Sequence, residues 1–230
     1  MLLEVIATTV GDAKAAEAAG ADRLELVTGM KEGGLTPSAG LIEGTVNSVR
    51  IPAAVMVRPH SKSFVYDPDD VRAMLRDIRM IREIGAAGIV IGPLTPDRQI
   101  DVPVLEALLA EAGDMEVVFH RAFDAVQDQL AAYDFLSGYR QIRRILTSGG
   151  KPSALDAVDR MRELVEMSRN SHITILAGSG LGAASLATFI SGTGVKEVHF
   201  GSAVRGPKGV EDEIDPGKIK ELREILAPFS

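Results

Sequence analysis

Asp67-Pro68-Asp69-Asp70-Val71-Arg72-Ala73-Met74-Leu75-Arg76-Asp77-Ile78-Arg79-Met80-Ile81-Arg82-Glu83-Ile84-Gly85-Ala86-Ala87-Gly88-Ile89-Val90-Ile91 holds one complete helix-to-strand unit, with its start and stop signals. Asp67 is a good N-cap, Pro68 takes the first helical position, and Asp69 and Asp70 favour the positive end of the helix dipole. Val71, Met74, Leu75, Ile78 and Ile81 follow at helical spacing, and Gly85 ends the run. Gly88 to Ile91 then reads as a short, β-branched strand.

Outward from this stretch the same unit recurs: an apolar strand, a polar or glycine loop, and an amphipathic helix ending near glycine. Strands are expected to begin at Leu3, Arg23, Ala53, Gly88, Glu116, Arg143, Ile173 and Glu197. Their mean spacing of about 28 residues matches a βαβ unit of ~30 residues. The helix formula returns at Asp215, Pro216, Ile219, Leu222 and Ile225. Weaker helices are expected near 12–19, 38–49, 102–112, 128–136, 154–168 and 182–191. Strands and helices in alternation give an α/β class with a parallel sheet. Eight of each close a (β/α)8 TIM-type barrel, typically ~250 residues long. A doubly wound sheet would carry a GxGxxG turn after its first strand; Ala7-Thr8-Thr9-Val10-Gly11 stands there instead. No Pro- or Ser-rich linker interrupts the chain, so residues 1–230 are expected to form a single barrel domain.

Composition narrows the function. Hydrophobic residues are 46% and charged residues 25%, which excludes disordered, collagen-like and coiled-coil chains. Zero cysteine excludes a disulfide scaffold, a thiolate metal site and a cysteine nucleophile. The net charge of −7 without basic runs, and only 4% aromatics, argue against nucleic-acid partners. No apolar run approaches ~18 residues, so no membrane span is expected. Met1-Leu2-Leu3-Glu4 lacks the basic, apolar start of a signal peptide. The expectation is a soluble cytoplasmic protein. If it self-associates, a symmetric homodimer is expected.

Strand parity locates the candidate chemistry. Alternate residues face opposite sides, and the wholly apolar side should meet the helices. Glu4, Glu25, Arg58, His120, Glu197 and His199 then point into the barrel. Active sites of such barrels lie at the C-terminal ends of the strands. Two carboxylates, a histidine and an arginine suit acid/base work on an anionic substrate. The same groups could ligate a divalent ion through oxygen and imidazole. Alternatively, Glu4 and Glu197 pair within a buried network and do no chemistry. Candidate catalytic residues are therefore Glu25, Arg58, His120 and Asp124, with His120 and His199 as candidate metal ligands. Arg121 and Asp124 follow His120 on a loop, where a salt bridge or helix cap is the plainer reading. Ala177-Gly178-Ser179-Gly180-Leu181-Gly182 and Gly201-Ser202-Ala203 follow strands seven and eight, the recurrent phosphate position of this barrel. Thr147 and Ser148, with Gly149 and Gly150, could add donors. Glu4, Arg121, Thr147, Ser148, Gly178, Ser179, Gly180, Gly201 and Ser202 are thus candidate ligand-binding residues. Alternatively, the glycines only make tight turns. His60 is expected at the rim and His172 at the barrel bottom.

Several strings together carry a family resemblance. They are Leu3-Glu4-Val5, Ala19-Gly20-Ala21-Asp22-Arg23-Leu24-Glu25-Leu26, Lys31-Glu32-Gly33-Gly34-Leu35-Thr36-Pro37-Ser38, Val57-Arg58-Pro59, Phe119-His120-Arg121-Ala122-Phe123-Asp124, Leu146-Thr147-Ser148-Gly149 and Glu197-Val198-His199. In order and over nearly the whole chain, this resembles the CutC family, named for copper homeostasis. The resemblance implies a β/α barrel, a cytoplasmic setting and copper binding or tolerance, with no established reaction. Cysteines proposed as copper ligands in some members have no counterpart here. Two readings follow: a copper-handling protein, or a barrel enzyme acting on a small phosphorylated or carboxylated compound.

Overall fold

The structure is a computed structural model and describes residues 1–229. Its strands are β1 (Leu2–Ala7), β2 (Arg23–Leu26), β3 (Ala53–Met56), β4 (Gly88–Ile91), β5 (Glu116–Phe119), β6 (Ile142–Thr147), β7 (Thr174–Gly178) and β8 (Glu197–Phe200). All pair in parallel and in chain order, and β8 pairs back onto β1 to close the barrel. Among the described residues, eight α-helices connect and surround them: α1 (Val10–Ala19), α2 (Ala39–Val46), α3 (Pro68–Ile84), α4 (Val102–Ala112), α5 (Gln129–Leu136), α6 (Val158–Ser168), α7 (Ala183–Thr193) and α8 (Pro216–Leu226). This is the expected (β/α)8 barrel. Among the described residues, no helix is long and apolar enough to cross a membrane.

Local signals set the element ends. The Asp67 carboxylate accepts the N–H groups of Asp69 (2.8 Å) and Asp70 (2.9 Å), and Asp70 accepts the Asp67 N–H in return. Gly85 closes α3 at φ 88°, a left-handed conformation that favours glycine. Strand and helix ends shift by one or two residues in places, and three differences from expectation are larger. Helix α2 stops at Val46, residues 154–157 form a 3-10 turn before α6, and Arg121–Ala125 form another.

Strand parity sorts two cores. Outward-facing Leu3, Val5, Leu24, Leu26, Val55, Ile89, Val117, Phe119, Val198 and Phe200 belong to the layer shared with the helices. Inside the barrel sit Ala54, Met56, Val90, Val118, Leu146 and Leu176. The even strands supply inward positions in two tiers. Arg23, Gly88, Arg144 and Glu197 lie toward the strand starts; Glu25, Val90, Leu146 and His199 stand two residues further on. A register shift between β5 and β6 sets Val117 opposite Ile142 and Val118 opposite Arg144. It leaves Arg143 exposed and brings Arg144 to the barrel interior, where it meets Glu197.

Candidate active site

The lower tier of the barrel is ionic, and its charges pair with one another, although Arg23 Nη1 is buried without a partner. Arg23 Nε pairs with Glu4, and its NH2 group pairs with Glu197 at 2.6 Å. Arg144 bridges Glu197 (2.9 Å) to Glu116 (2.5 Å). Burial alone would raise the Glu4 carboxyl, but Arg23 and His199 outweigh it and hold the group at about 2. Glu4 does not line the cavity above, and neither does Glu197. Their role is pairing. The two arginines were not among the expected inward charges. Arg23 carried a signal, since it shares parity with Glu25. Arg144 carried none, because a register shift puts it inside.

Above that tier a cavity of about 310 Å³ opens at the C-terminal ends of the strands. Glu25 and His199 form its floor, Arg58 and His120 its wall, and Ser179, Gly180, Gly201 and Ser202 its rim. Met30, Met56 and Phe64 supply apolar lining that no sequence motif marked. His199 is held from below: its Nδ1 lies 2.7 Å from Glu4 Oε1. Its Nε2 is 3.9 Å from Glu25 Oε2. Burial disfavours the imidazolium, yet Glu25 and Glu4 outweigh that and raise the His199 pKa. Burial pushes the Glu25 carboxyl up to about 7, against the pull of His199. Glu25 Oε1 is buried and has no hydrogen-bond partner.

The wall is different in kind. Arg58 donates from NH1 to the carbonyls of Glu32 (3.0 Å) and Gly34 (3.3 Å), pinning the Gly33-Gly34 loop. Its guanidinium carbon stands 4.8 Å from the Phe64 ring centre, a cation–π contact, and its Nε has no partner. Burial and then Arg58 lower the His120 pKa to about 3, so this imidazole is neutral at physiological pH. The Ala122 N–H donates to His120 Nδ1 at 3.0 Å. His120 Nε2 is buried without a partner.

That bond bears on the expectation that His120 and His199 share a metal. An Nε2 lone pair for a metal needs the ring proton on Nδ1, where the Ala122 N–H already points. Among the described residues, the histidine and carboxylate atoms gathered within 4.8 Å of one another are those of Glu4, Glu25 and His199.

The structure places Asp124, Thr147 and Ser148 together, with Asp124 in the salt bridge to Arg121 that the sequence offered as an alternative. None of them lines the cavity. The Asp124 carboxylate accepts from Thr147 Oγ1 (2.5 Å), the Ser148 N–H (3.0 Å), the Gly150 N–H (3.0 Å) and Arg121 Nε (2.8 Å). The donors expected for a ligand anion are filled by a carboxylate of the chain itself. Arg121 remains at the cavity edge, tied to Asp124. Gly178 also lies outside the lining; a Cβ there would stand 2.8 Å from Leu146 Cδ1 and 3.3 Å from His199 Cδ2, so its place is close packing. The rim loops keep free donors: the N–H groups of Gly180, Leu181 and Ser202 have no acceptor among the described residues. Ser179 takes a left-handed φ of 76°, and its hydroxyl donates to the Pro152 carbonyl at 2.8 Å. His60 bonds to Asp70 (3.0 Å) and His172 to the Tyr139 carbonyl (3.1 Å), both away from the cavity.

The model of the CutC family matches residues 1–204. The chain belongs to the CutC family. A CutC family protein of Klebsiella pneumoniae is 41% identical over 198 residues, covering 86% of this chain and 78% of the relative. The human copper homeostasis protein cutC homolog is 39% identical over 198 residues, covering 86% and 72%. A crystal structure of CutC from Streptococcus agalactiae superposes with a TM-score of 0.82 at 32% identity, covering 86% of this chain and 97% of that one. The CutC fold thus carries a strand-end cavity with a carboxyl–imidazole floor in this chain.

Proposed function

We propose that this CutC-family barrel is an enzyme that moves a proton on a small phosphorylated or carboxylated compound held in the strand-end cavity. One observation carries the reading. Glu25, Arg58 and His120 line the same cavity, and each brings a buried polar atom with no partner. Leaving such a group unsatisfied costs about 1–3 kcal/mol, so three around one cavity favour a ligand over a purely structural core. Glu25 titrates near neutral pH, where a general acid or base works best. The free N–H groups of Gly180, Leu181 and Ser202 suit a phosphate at the rim, and Arg58 adds positive potential on the wall. Titration calorimetry with inorganic phosphate and a panel of phosphorylated and carboxylated metabolites tests it. Binding that weakens in an Arg58→Met variant, with turnover abolished by Glu25→Gln, is the expected result. If no anion binds, the reading fails.

The names of the relatives favour a second reading, copper handling, and the gathering of Glu4, Glu25 and His199 atoms supports it. Those atoms are nitrogen and oxygen donors, which suit Cu(II); Cu(I) prefers sulfur, and the chain has no thiolate. His199 Nε2 and Glu25 would hold the ion, with Glu4 fixing the ring from Nδ1, as carboxylates do for metal-bound histidines. Electron paramagnetic resonance of the protein with Cu(II) tests this: a nitrogen coupling lost in His199→Gln supports it. A spectrum of unbound Cu(II) removes it.

A further inference from the structure

The cavity wall specifies more about the substrate than its charge. His120 is held in one tautomer. A backbone N–H can only donate, so the Ala122 bond at 3.0 Å makes Nδ1 an acceptor and puts the hydrogen of the neutral ring on Nε2. That Nε2–H is buried and has no acceptor among the described residues. The ring is set among apolar and cationic neighbours. Phe64 and Phe119 pack at 5.0 and 6.2 Å between ring centres, and Arg58 is the charge that acts on it. The backbone has been shaped around it as well. Gly92, just past β4, has no left-handed φ to explain it, but a Cβ there would overlap His120 Cε1 and Nδ1. A ring so placed cannot act as a base, and its Nε2 offers no lone pair to a metal. What it can do is donate one hydrogen bond to an oxygen.

We propose that His120 is a neutral hydrogen-bond donor to a substrate carbonyl oxygen, and that the cavity takes a small anionic carbonyl compound and enolises it. This rests on the acid/base reading above and names its substrate class. In the step, a proton leaves the carbon next to the carbonyl for the Glu25 carboxylate. The C–H electron pair becomes the second bond of a C=C, and the carbonyl π pair moves onto oxygen. The His120 Nε2–H binds that oxygen as its charge grows and keeps its own proton. Neutral imidazole serves this role better than imidazolium because it does not force the oxygen to full protonation. No oxidant, reductant or further reactant is required.

The test uses protein labelled with 15N at histidine, observed by NMR alone, with inorganic phosphate, and with phosphoglycolohydroxamate, a phosphorylated mimic of an enediolate. His120 is expected to stay in the Nε2–H form between about pH 5 and 8. Its Nε2 resonance should move with the hydroxamate and not with inorganic phosphate. His120→Phe, checked for fold by circular dichroism, should lower hydroxamate affinity about tenfold or more and leave phosphate affinity unchanged. Gly92→Ala should lower hydroxamate affinity in the same direction by displacing the ring. An Nδ1–H or imidazolium signal in the free protein overturns the proposal. So does phosphate binding combined with a His120 signal that ignores the hydroxamate, which leaves the acid/base reading standing. Failure of both probes to bind the wild type overturns the two together.

Discussion

Glu25 and Glu4 both lie inside one barrel, yet their pKa values move in opposite directions, because burial prevails at Glu25 and the paired cations prevail at Glu4. Glu4 is held at close range by Arg23 and His199, while Glu25 has His199 at 3.9 Å. Burial lifts the Glu25 carboxyl from 4.5 to about 7. Between those values the folded protein holds a proton that the unfolded chain has released, so stability falls as pH rises through that window. Glu25→Gln should flatten this slope, read as urea midpoints on either side of the window. An unchanged slope would place the titration elsewhere. For Glu4, burial opposes ionisation but the paired cations win and hold it at about 2. Its stabilisation is present above 4.5 and is lost as pH falls toward 2. The two windows do not overlap, so acid unfolding should persist in Glu25→Gln.

At the scale of elements, turns and caps hold the strand ends in place. The reciprocal Asp67–Asp70 cap starts the longest helix, and Asp67→Ala should lower stability by about 1 kcal/mol in urea unfolding. The loop after β6 depends on Asp124 instead. Its carboxylate gathers the Thr147 hydroxyl, two backbone N–H groups and Arg121. Asp124→Ala leaves those donors orphaned and should cost about 1–3 kcal/mol. Hydrogen exchange at the Ser148 and Gly150 amides should accelerate in the same variant. A rise confined to other loops would contradict this role. The sequence could place Asp124 beside the site, since His120 directly follows β5 and the loop begins there. It offered the salt bridge with Arg121, which forms, but it could not tell that the loop curls over the β6 end, where the aspartate also takes donors from Thr147, Ser148 and Gly150.

For the whole molecule, barrel closure brings charges from distant strands together. Arg23 of β2 bonds Glu4 of β1 and Glu197 of β8, and Arg144 of β6 completes the chain of pairs. Removing one member of a buried pair leaves a charge uncompensated, at a cost of about 3–5 kcal/mol. Arg23→Met should therefore destabilise by about that amount in equilibrium unfolding, and a second change, Glu197→Gln, should recover part of it. Strict additivity of the two changes would mean that Arg23 and Glu197 do not interact. This tier also supports the site, because Glu4 belongs to it and holds His199.

The sequence by itself determined the repeat, the capped starts of α3 and α8, and which face of β1, β2, β3, β5 and β8 turns inward. Those are local properties: a cap acts over three residues, and a strand alternates every second one. From them came the barrel, and Glu25, Arg58, His120 and His199 at one cavity. Only the tertiary structure decided which inward charges meet and which polar atoms stay unpaired. Arg144 reaches Glu197 through a shift in β5–β6 register, Phe64 reaches His120 from a loop, and Asp124 fills donors that looked free. Pairing depends on distances across a closed sheet, and these are fixed by closure and register rather than by neighbours in the chain.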